Sequence, residues 1–475
     1  MVIGQNPKVY RRPFSYRIPM YLYRVRDKNR VFLSRARDKI VVILSCGGDK
    51  KVYFCLLNKI EVKNLFKQII VERQDWLKNI KVSPRDIEIE KEVNYVFTGL
   101  RRAGKSYFLY QLIKNMTVEN QYDRVLMINF EDERLLEVTH RELHLILESY
   151  YELFDMQPVI FLDEIQNVQH WQKFVRRLAD NRLRVYVTGS NADMLSHEIA
   201  TTLGGRFMIK EILPLSFKEF LNFQRISYSG KHKFSEDRFT VIRAYDDYLK
   251  FGGFPELLKF ENKREFLSGV YQKLFYGDLI ARYKLSNDTA LKLLIKKLAE
   301  SVNNETSVTR IKNLIKSTGL SIGNNTVFDY LSYLEKSYLI ASISNYNAKF
   351  SEKHNNRKYY FLDTGILGLF LHNQDTKLLE NQVYIGLRRK GYEMFFLKRN
   401  TKVDFFVPDH NLLMQVSYSI EDKETFEREL HGLATAMEKF EIDEGYIITR
   451  DEEKTIEINE GSIHIVPAHK WLLEE

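Results

Sequence analysis

The run Gly99-Leu-Arg-Arg-Ala-Gly104-Lys105-Ser106 puts a glycine at each end of a short loop and then a lysine and a hydroxyl in succession. Glycines in those places let the backbone wrap, so that successive N–H groups point inward at an anion. The lysine adds a compact positive charge and the serine an oxygen ligand for a hard cation. This is the GxxxxGK[ST] pattern of a loop that cradles nucleotide phosphates. The flanks agree, because the apolar run Val93 to Thr98 predicts a strand before the loop and Tyr107 to Leu112 a helix after it. The start of that helix adds its dipole to the cradle. Gly99, Arg101, Arg102, Ala103, Gly104, Lys105, Ser106 and Tyr107 are therefore expected around ATP, with Lys105 on the β and γ phosphates and Ser106 on Mg2+. The plain alternative is a glycine turn with an exposed lysine, and the flanking strand and helix argue against it.

Two further strand ends offer partners. Pro158-Val-Ile-Phe-Leu-Asp163-Glu164 is an apolar strand closed by adjacent carboxylates. Beside a phosphate loop, Asp163 is expected to hold the Mg2+ shell and Glu164 to orient or deprotonate the attacking water, although such a pair taken alone is more often a solvated loop. Val185-Tyr-Val-Thr-Gly-Ser190-Asn191 is expected next to it in a parallel sheet, where Ser190 or Asn191 would sense the terminal phosphate; an ordinary strand-to-loop turn explains the same residues equally well. Arg206, in the glycine-flexed run Leu203-Gly-Gly-Arg206-Phe, is read either as a catalytic cation acting in cis or across a subunit boundary, or as a surface ion pair.

Holding these groups requires a sheet, and the pattern supplies one. Short apolar runs at Val93–Thr98, Val125–Asn129, Pro158–Leu162 and Val185–Thr188 alternate with amphipathic stretches, which implies βαβ units and a parallel sheet. A leading helix is expected from Asn64 to Ile80. Beyond about residue 225 helical patterns take over, and three helices followed by strands near Ile340–Ser344 and Lys358–Leu362 suggest a winged-helix module. From Glu380 a helix leads into strands at Met394–Leu397, Val403–Val407, Leu412–Tyr418 and Gly445–Thr449, a second α/β domain.

At 475 residues the chain is expected to hold about three domains. Its formal charge of +9 resides in the first 60 residues, where 14 Lys/Arg face 3 Asp/Glu; the remaining 58 against 60 leave the body near −2. The basic arm, with its interleaved aromatics, either holds nucleic acid or is a poorly ordered extension. Both cysteines, Cys46 and Cys55, lie in that arm, which excludes a disulfide framework in the body and fits a cytoplasmic protein. No apolar run approaches the roughly 20 residues of a membrane span, so no membrane partner is expected.

With these motifs the chain resembles prokaryotic AAA-like ATPases that carry a C-terminal domain of uncharacterised function with a restriction-nuclease-like fold. The likeness rests on Gly99–Ser106, Phe161–Gln166, Thr188–Ser190, Gly205–Phe207, Leu213–Phe217, Phe251–Pro255, Tyr359–Gly365, Glu380–Tyr384 and Val403–Phe405, and spans about residues 63 to 475. Over that span it implies an α/β fold with a P-loop AAA-like domain at 63–225, a helical and winged-helix region at 226–345 and a nuclease-like domain at 346–475; residues 1–62, a basic extension, fall outside it. Nucleases of this fold hold Mg2+ with carboxylates beside a lysine, and the positions that match are Glu380, Asp404 and Gln415, with Ser417 where the lysine is usual. Lys398 or Lys402 is a candidate substitute. The other reading, that Glu380 and Asp404 are structural groups in an inactive binding domain, is favoured.

The expected function is Mg2+-dependent ATP binding and hydrolysis, whose nucleotide state controls C-terminal domains that bind DNA or protein, with self-association left open. Two alternatives are a nucleotide-gated binding module with negligible turnover and an ATPase with an attached metal-dependent nuclease. Lys296, Lys297, Arg310, Lys312 and Lys316 offer a basic face for phosphate contacts, although lysines on exposed helices are usually only solvated.

Overall fold

The computed structural model describes the backbone of residues 20–24, 30–36, 39–46 and 49–52, and describes residues 54–117, 121–190, 202–228, 236–372, 374–398, 401–458 and 461–474, with side chains from Lys59 onward. The chain divides into two compact units, one of residues 1–80, 119–162 and 167–184, the other of residues 81–118, 163–166 and 185–475. In the N-terminal arm β1 (Met20–Arg24), β2 (Arg30–Ala36), β3 (Lys39–Cys46) and β4 (Asp49–Val52) pair as an antiparallel meander. Five later strands, β5 (Asn94–Thr98), β6 (Val125–Asn129), β7 (Val159–Asp163), β8 (Arg184–Thr188) and β9 (Phe207–Glu211), form a sheet in the order β6-β7-β8-β5-β9. β8 lies beside β7 as its sequence pattern predicts, and β5 pairs in parallel with both β8 and β9.

In the first unit the leading helix runs from Phe54 to Asn79, ten residues earlier than its apolar rhythm predicts. Phe66, Ile69, Ile70 and Leu77 recur at helical spacing and are fully buried, packing toward the helix His144–Tyr151 and toward β6. Gln74 ties the helix to the sheet by donating to the Val125 carbonyl at 2.8 Å.

The second unit holds the phosphate loop. Tyr95, Phe97 and Tyr186 stack across β5 and β8, and Phe108 of the helix Lys105–Met116 meets Phe97 edge-on at 5.1 Å. That contact fixes the angle at which the helix leaves the strand. One apolar core then runs from Leu100 and Ala103 through the helices Phe217–Phe223, Glu236–Phe251 and Lys263–Lys273 to Trp471 and Leu472. The helix Lys263–Lys273 continues into a π-helical stretch, Leu274–Ala281.

Helices Asp288–Ser301, Val308–Lys316 and Asn324–Lys336 follow, with β10 (Thr306–Ser307) between the first two and the hairpin of β11 (Ile340–Asn345) and β12 (Asn356–Phe361) after the third. The helix Asp375–Arg389 leads into β13 (Phe395–Leu397), β14 (Val403–Val407) and β15 (Leu412–Val416), then the helix Lys423–Phe440, β16 (Glu444–Thr449), β17 (Lys454–Ile458) and β18 (Gly461–Pro467). All nine strands from β10 onward belong to one sheet, ordered β10-β12-β11-β13-β14-β15-β16-β18-β17. The segments 226–345 and 346–475 therefore share a sheet as well as a core, because β11 pairs in parallel with β13. Among the described residues no helix is long and apolar enough to cross a membrane.

Candidate nucleotide site and a buried C-terminal ion cluster

The phosphate loop is built where only glycine fits. Gly99 has φ +136°, and a Cβ there would lie 2.3 Å from the Ile212 carbonyl oxygen, whose own N–H bonds Thr98 at 2.7 Å. Gly104, at φ +100°, stands just before the helix Lys105–Met116. The loop is also gripped from beneath by Arg85, a residue that sequence reasoning passed over. Its buried guanidinium donates to the Ala103 carbonyl at 2.9 Å, to the Leu213 carbonyl at 2.9 Å and to both oxygens of Glu219. Five donors in a rigid fork allow one arginine to hold all three.

Inside this loop Lys105 is buried, its Nζ donating to the Gly99 and Leu100 carbonyls at 3.1 Å each and lying 3.7 Å from Glu164 Oε1. Asp163 closes β7 with no exposed surface. Its Oδ1 accepts the Thr188 hydroxyl, while Oδ2 is buried without a hydrogen-bond partner. Burial and the Glu164 charge push its carboxyl up to about 6, against Thr188, the neighbouring Ser106 and the Lys105 charge. Burial also acts to raise Glu164, but Lys105, Gln166 and Arg101 outweigh it and hold that carboxyl below its ordinary range. The adjacent carboxylates are thus pushed apart, one ionised and one carrying a proton more readily. Glu164 sits at φ +52°, its N–H donating to Thr188 Oγ1 at 2.9 Å, and its Oε2 takes the Gln166 amide. Ser190 is buried within 3.5 Å of that amide. Gln166 and Thr188, like Arg85, belong to the site without having been singled out as site residues.

The structure draws Lys105, Ser106, Asp163, Glu164 and Ser190 together. Arg101 turns from the loop to Asp278 of the π-helical stretch at 2.8 Å, Arg102 pairs with Glu256 at 2.7 Å, and Tyr107 is exposed with its ring on Tyr110. Asn191 lies outside the described residues. Arg206 is exposed and occupies the opposite end of the sheet. Asn94 pairs with Phe207 and Thr98 with Glu211, so the loop that follows Thr98 is about 13 Å of strand away from Arg206. An arginine side chain does not span that distance, and the cis role considered for Arg206 has no geometric basis.

A second buried cluster lies in the C-terminal sheet. Glu380 and Asp404 meet on a residue that sequence reasoning passed over, and Gln415 joins them through Asp404. Lys358 of β12 is buried, with Nζ 3.0 Å from Glu380 Oε1 and 2.9 Å from Asp404 Oδ1. Tyr360, two residues on and so on the same face of the strand, donates to Glu380 Oε1 at 2.7 Å. Gln415 accepts the Asp404 N–H at 3.0 Å through its amide oxygen and donates to Glu429 through its nitrogen. Burial and the Asp404 charge raise the Glu380 carboxyl, opposed by Lys358 and Tyr360. The cluster borders a cavity of about 310 Å³ that Lys402 and Arg428 also line, whereas Lys398 turns away to Glu305. The signal available was a lysine within the strand Lys358-Tyr-Tyr-Phe, which needs a partner if it faces inward, although the sequence does not say which.

Residues 91–221 match the AAA domain family, and residues 242–377 match a domain of unknown function, DUF8612. The uncharacterized protein MJ1544 of Methanocaldococcus jannaschii is 35% identical over 431 residues, which cover 87% of this chain and 96% of that protein. An uncharacterized protein of Haemophilus influenzae is 29% identical over 363 residues, covering 74% of this chain and 88% of its own. Among solved structures, the Walker-type ATPase PABY2304 of Pyrococcus abyssi aligns over 62% of this chain and 99% of its own, with 15% identity and a TM-score of 0.40.

Proposed function

The chain belongs to the family of the Methanocaldococcus jannaschii protein MJ1544, and from that premise and its AAA domain we propose that it is a Mg2+-dependent ATPase whose nucleotide state acts on its C-terminal part. The observation that carries this reading is the convergence of three loop and strand ends, at Lys105-Ser106, Asp163-Glu164 and Thr188 to Ser190, on one buried cluster. Ser106 and Asp163 suit a hard cation, since Asp163 Oδ2 is buried with no hydrogen-bond partner and a carboxylate with a hydroxyl is the donor set Mg2+ favours. When bound, Mg2+ supplies charge neutralisation at the phosphate oxygens.

The chain's own residues do the rest. Lys105 exchanges the Gly99 and Leu100 carbonyls for phosphate oxygens, and backbone N–H groups of the loop hold the β phosphate. Glu164, ionised and steered by Gln166 and the Thr188 hydroxyl, takes a proton from the attacking water at a carboxylate oxygen. Ser190, beside Gln166, is placed to register the γ phosphate. Arg206, remote from its own loop, is left as a surface residue or as a cation for the site of a second copy.

A series of hydrogen bonds, joined at Leu215-Ser216 by the chain itself, supports a link from this site to the C-terminal sheet. Arg85 joins Ala103 to Glu219, Glu219 caps the helix Phe217–Phe223 through Ser216, and Leu215 donates to the Gly253 carbonyl at 2.7 Å. Gly253 in turn donates to Asp363, just after β12, at 2.9 Å. The order of three helices and a hairpin, with β10 paired to β12, supports the winged-helix reading, and Arg310, Lys312 and Lys316 on the second of those helices suit phosphate contacts. Duplex DNA is therefore the proposed partner. Phosphate release measured with and without duplex DNA tests the reading: turnover stimulated by DNA and abolished in Lys105→Ala is expected. ATP that stays bound without turnover, with or without DNA, would favour a nucleotide-gated binding module instead.

A further inference from the structure

The resemblance to restriction-type nucleases implies a divalent cation among Glu380, Asp404 and Gln415, and the residues present do not fit one. Such a cation needs several oxygens with free lone pairs directed at one point. Here Asp404 Oδ1 accepts from Lys358 at 2.9 Å and Oδ2 from the Val416 N–H at 3.2 Å. Glu380 Oε1 accepts from Lys358 and Tyr360, and Oε2 faces the Asn303 amide nitrogen at 3.3 Å when that amide is turned to satisfy its acceptors. The Gln415 oxygen is committed to the Asp404 N–H and its nitrogen to Glu429. Among the described residues no group of three or more His, Cys, Asp or Glu is placed to hold a metal.

What lies between the two carboxylates is an ammonium, about 3 Å from an oxygen of each and buried with them. An ammonium in that place satisfies the same electrostatic demand as a metal ion, since two carboxylates cannot share a buried site uncompensated. Burial alone would lower the Lys358 pKa, yet the charges of Asp404 and Glu380 raise it instead, so the group keeps its proton.

We propose that Lys358 is the resident cation of this centre, and that it closes the Glu380–Asp404 pair to divalent metals. The inference is independent of ATP hydrolysis and is tested without nucleotide. Mn2+ uptake is followed by the loss of the free-ion paramagnetic signal, in full-length chains that all carry Asp163→Asn so that the phosphate loop contributes nothing. The Asp163→Asn chain is expected to take up no Mn2+; adding Lys358→Met is expected to create one site per chain, and adding Asp404→Asn to remove it again. Uptake by the chain with Lys358 intact that Asp404→Asn abolishes would overturn the proposal, as would a folded Lys358→Met chain that takes up none. Should Lys358→Met fail to fold, the Asp163→Asn chain with Lys358 intact still decides. Amine acetylation read by mass spectrometry is expected to leave Lys358 unmodified with or without Mn2+, and modification that appears on adding Mn2+ would show that the metal displaces it.

Discussion

The nucleotide site and the C-terminal cluster are made from the same parts, two buried carboxylates and a lysine, and they arrange them to opposite effect. At Asp163 and Glu164 the lysine is held by loop carbonyls, stands 3.7 Å from one carboxylate only and leaves Asp163 Oδ2 without a partner. At Glu380 and Asp404 the lysine bridges both groups at 2.9–3.0 Å. The first arrangement stores unsatisfied charge that phosphate and Mg2+ would resolve. The second has already resolved it, and what it gains is a fixed junction between β12, β14 and the helix Asp375–Arg389. Residue type at a buried ionic site is thus a weak guide to chemistry, and the satisfaction of each oxygen is a stronger one.

Stability separates the two most sharply. Asp404→Ala leaves Lys358 buried with a single partner, and breaking such a pair costs about 3–5 kcal/mol, to be seen as a lower urea midpoint. Asp163→Asn has the opposite sign. A carboxyl whose folded pKa is raised to about 6 stabilises the fold at low pH and loses that contribution as the pH rises through about 6. At pH 8 the neutral amide therefore stabilises by up to about 3 kcal/mol. Equal losses in the two variants would erase the distinction.

A smaller effect follows from the same carboxyl. Holding Mg2+ needs Asp163 ionised, so the affinity for Mg2+-nucleotide is expected to fall as the pH drops through about 6, in titrations with a fluorescent ATP analogue. Affinity that is flat from pH 5 to 8 would detach Asp163 from the metal. The smallest change is expected at Arg206, whose substitution by alanine leaves turnover within about twofold in dilute protein, because surface substitutions away from a site act weakly. A large loss under dilute conditions would place the arginine nearer its own loop than the register of β5 and β9 allows.

Much of the candidate nucleotide site was legible because its residues lie close along the chain. Gly99 to Ser106 is one contiguous run, and β7 and β8 announce themselves as buried apolar strands with polar ends. β9 was not expected: its apolar run is only Phe207-Met208-Ile209, between Arg206 and Lys210, too short to read as a strand, and Met208 and Ile209 are exposed on the edge of the sheet. Arg85 and Lys358 were missed for a related reason. Each finds its partners far along the chain, Glu219 for one and Asp404 for the other, and nothing in the spacing of a lone basic residue points to a carboxylate so distant. The sheet continuous from β10 to β18 was hidden likewise, since the parallel pairing of β11 with β13 joins segments that read as separate domains.

The most direct test of the account is a paired measurement on Glu164→Gln, retention of ATP on the protein and release of phosphate from it. Retained ATP with turnover lowered by about 10²–10⁴, the range of a lost general base, is the predicted result. Turnover equal to that of the unsubstituted chain would contradict the assignment of Glu164 as the base, and with it the proposed hydrolytic role of the cluster.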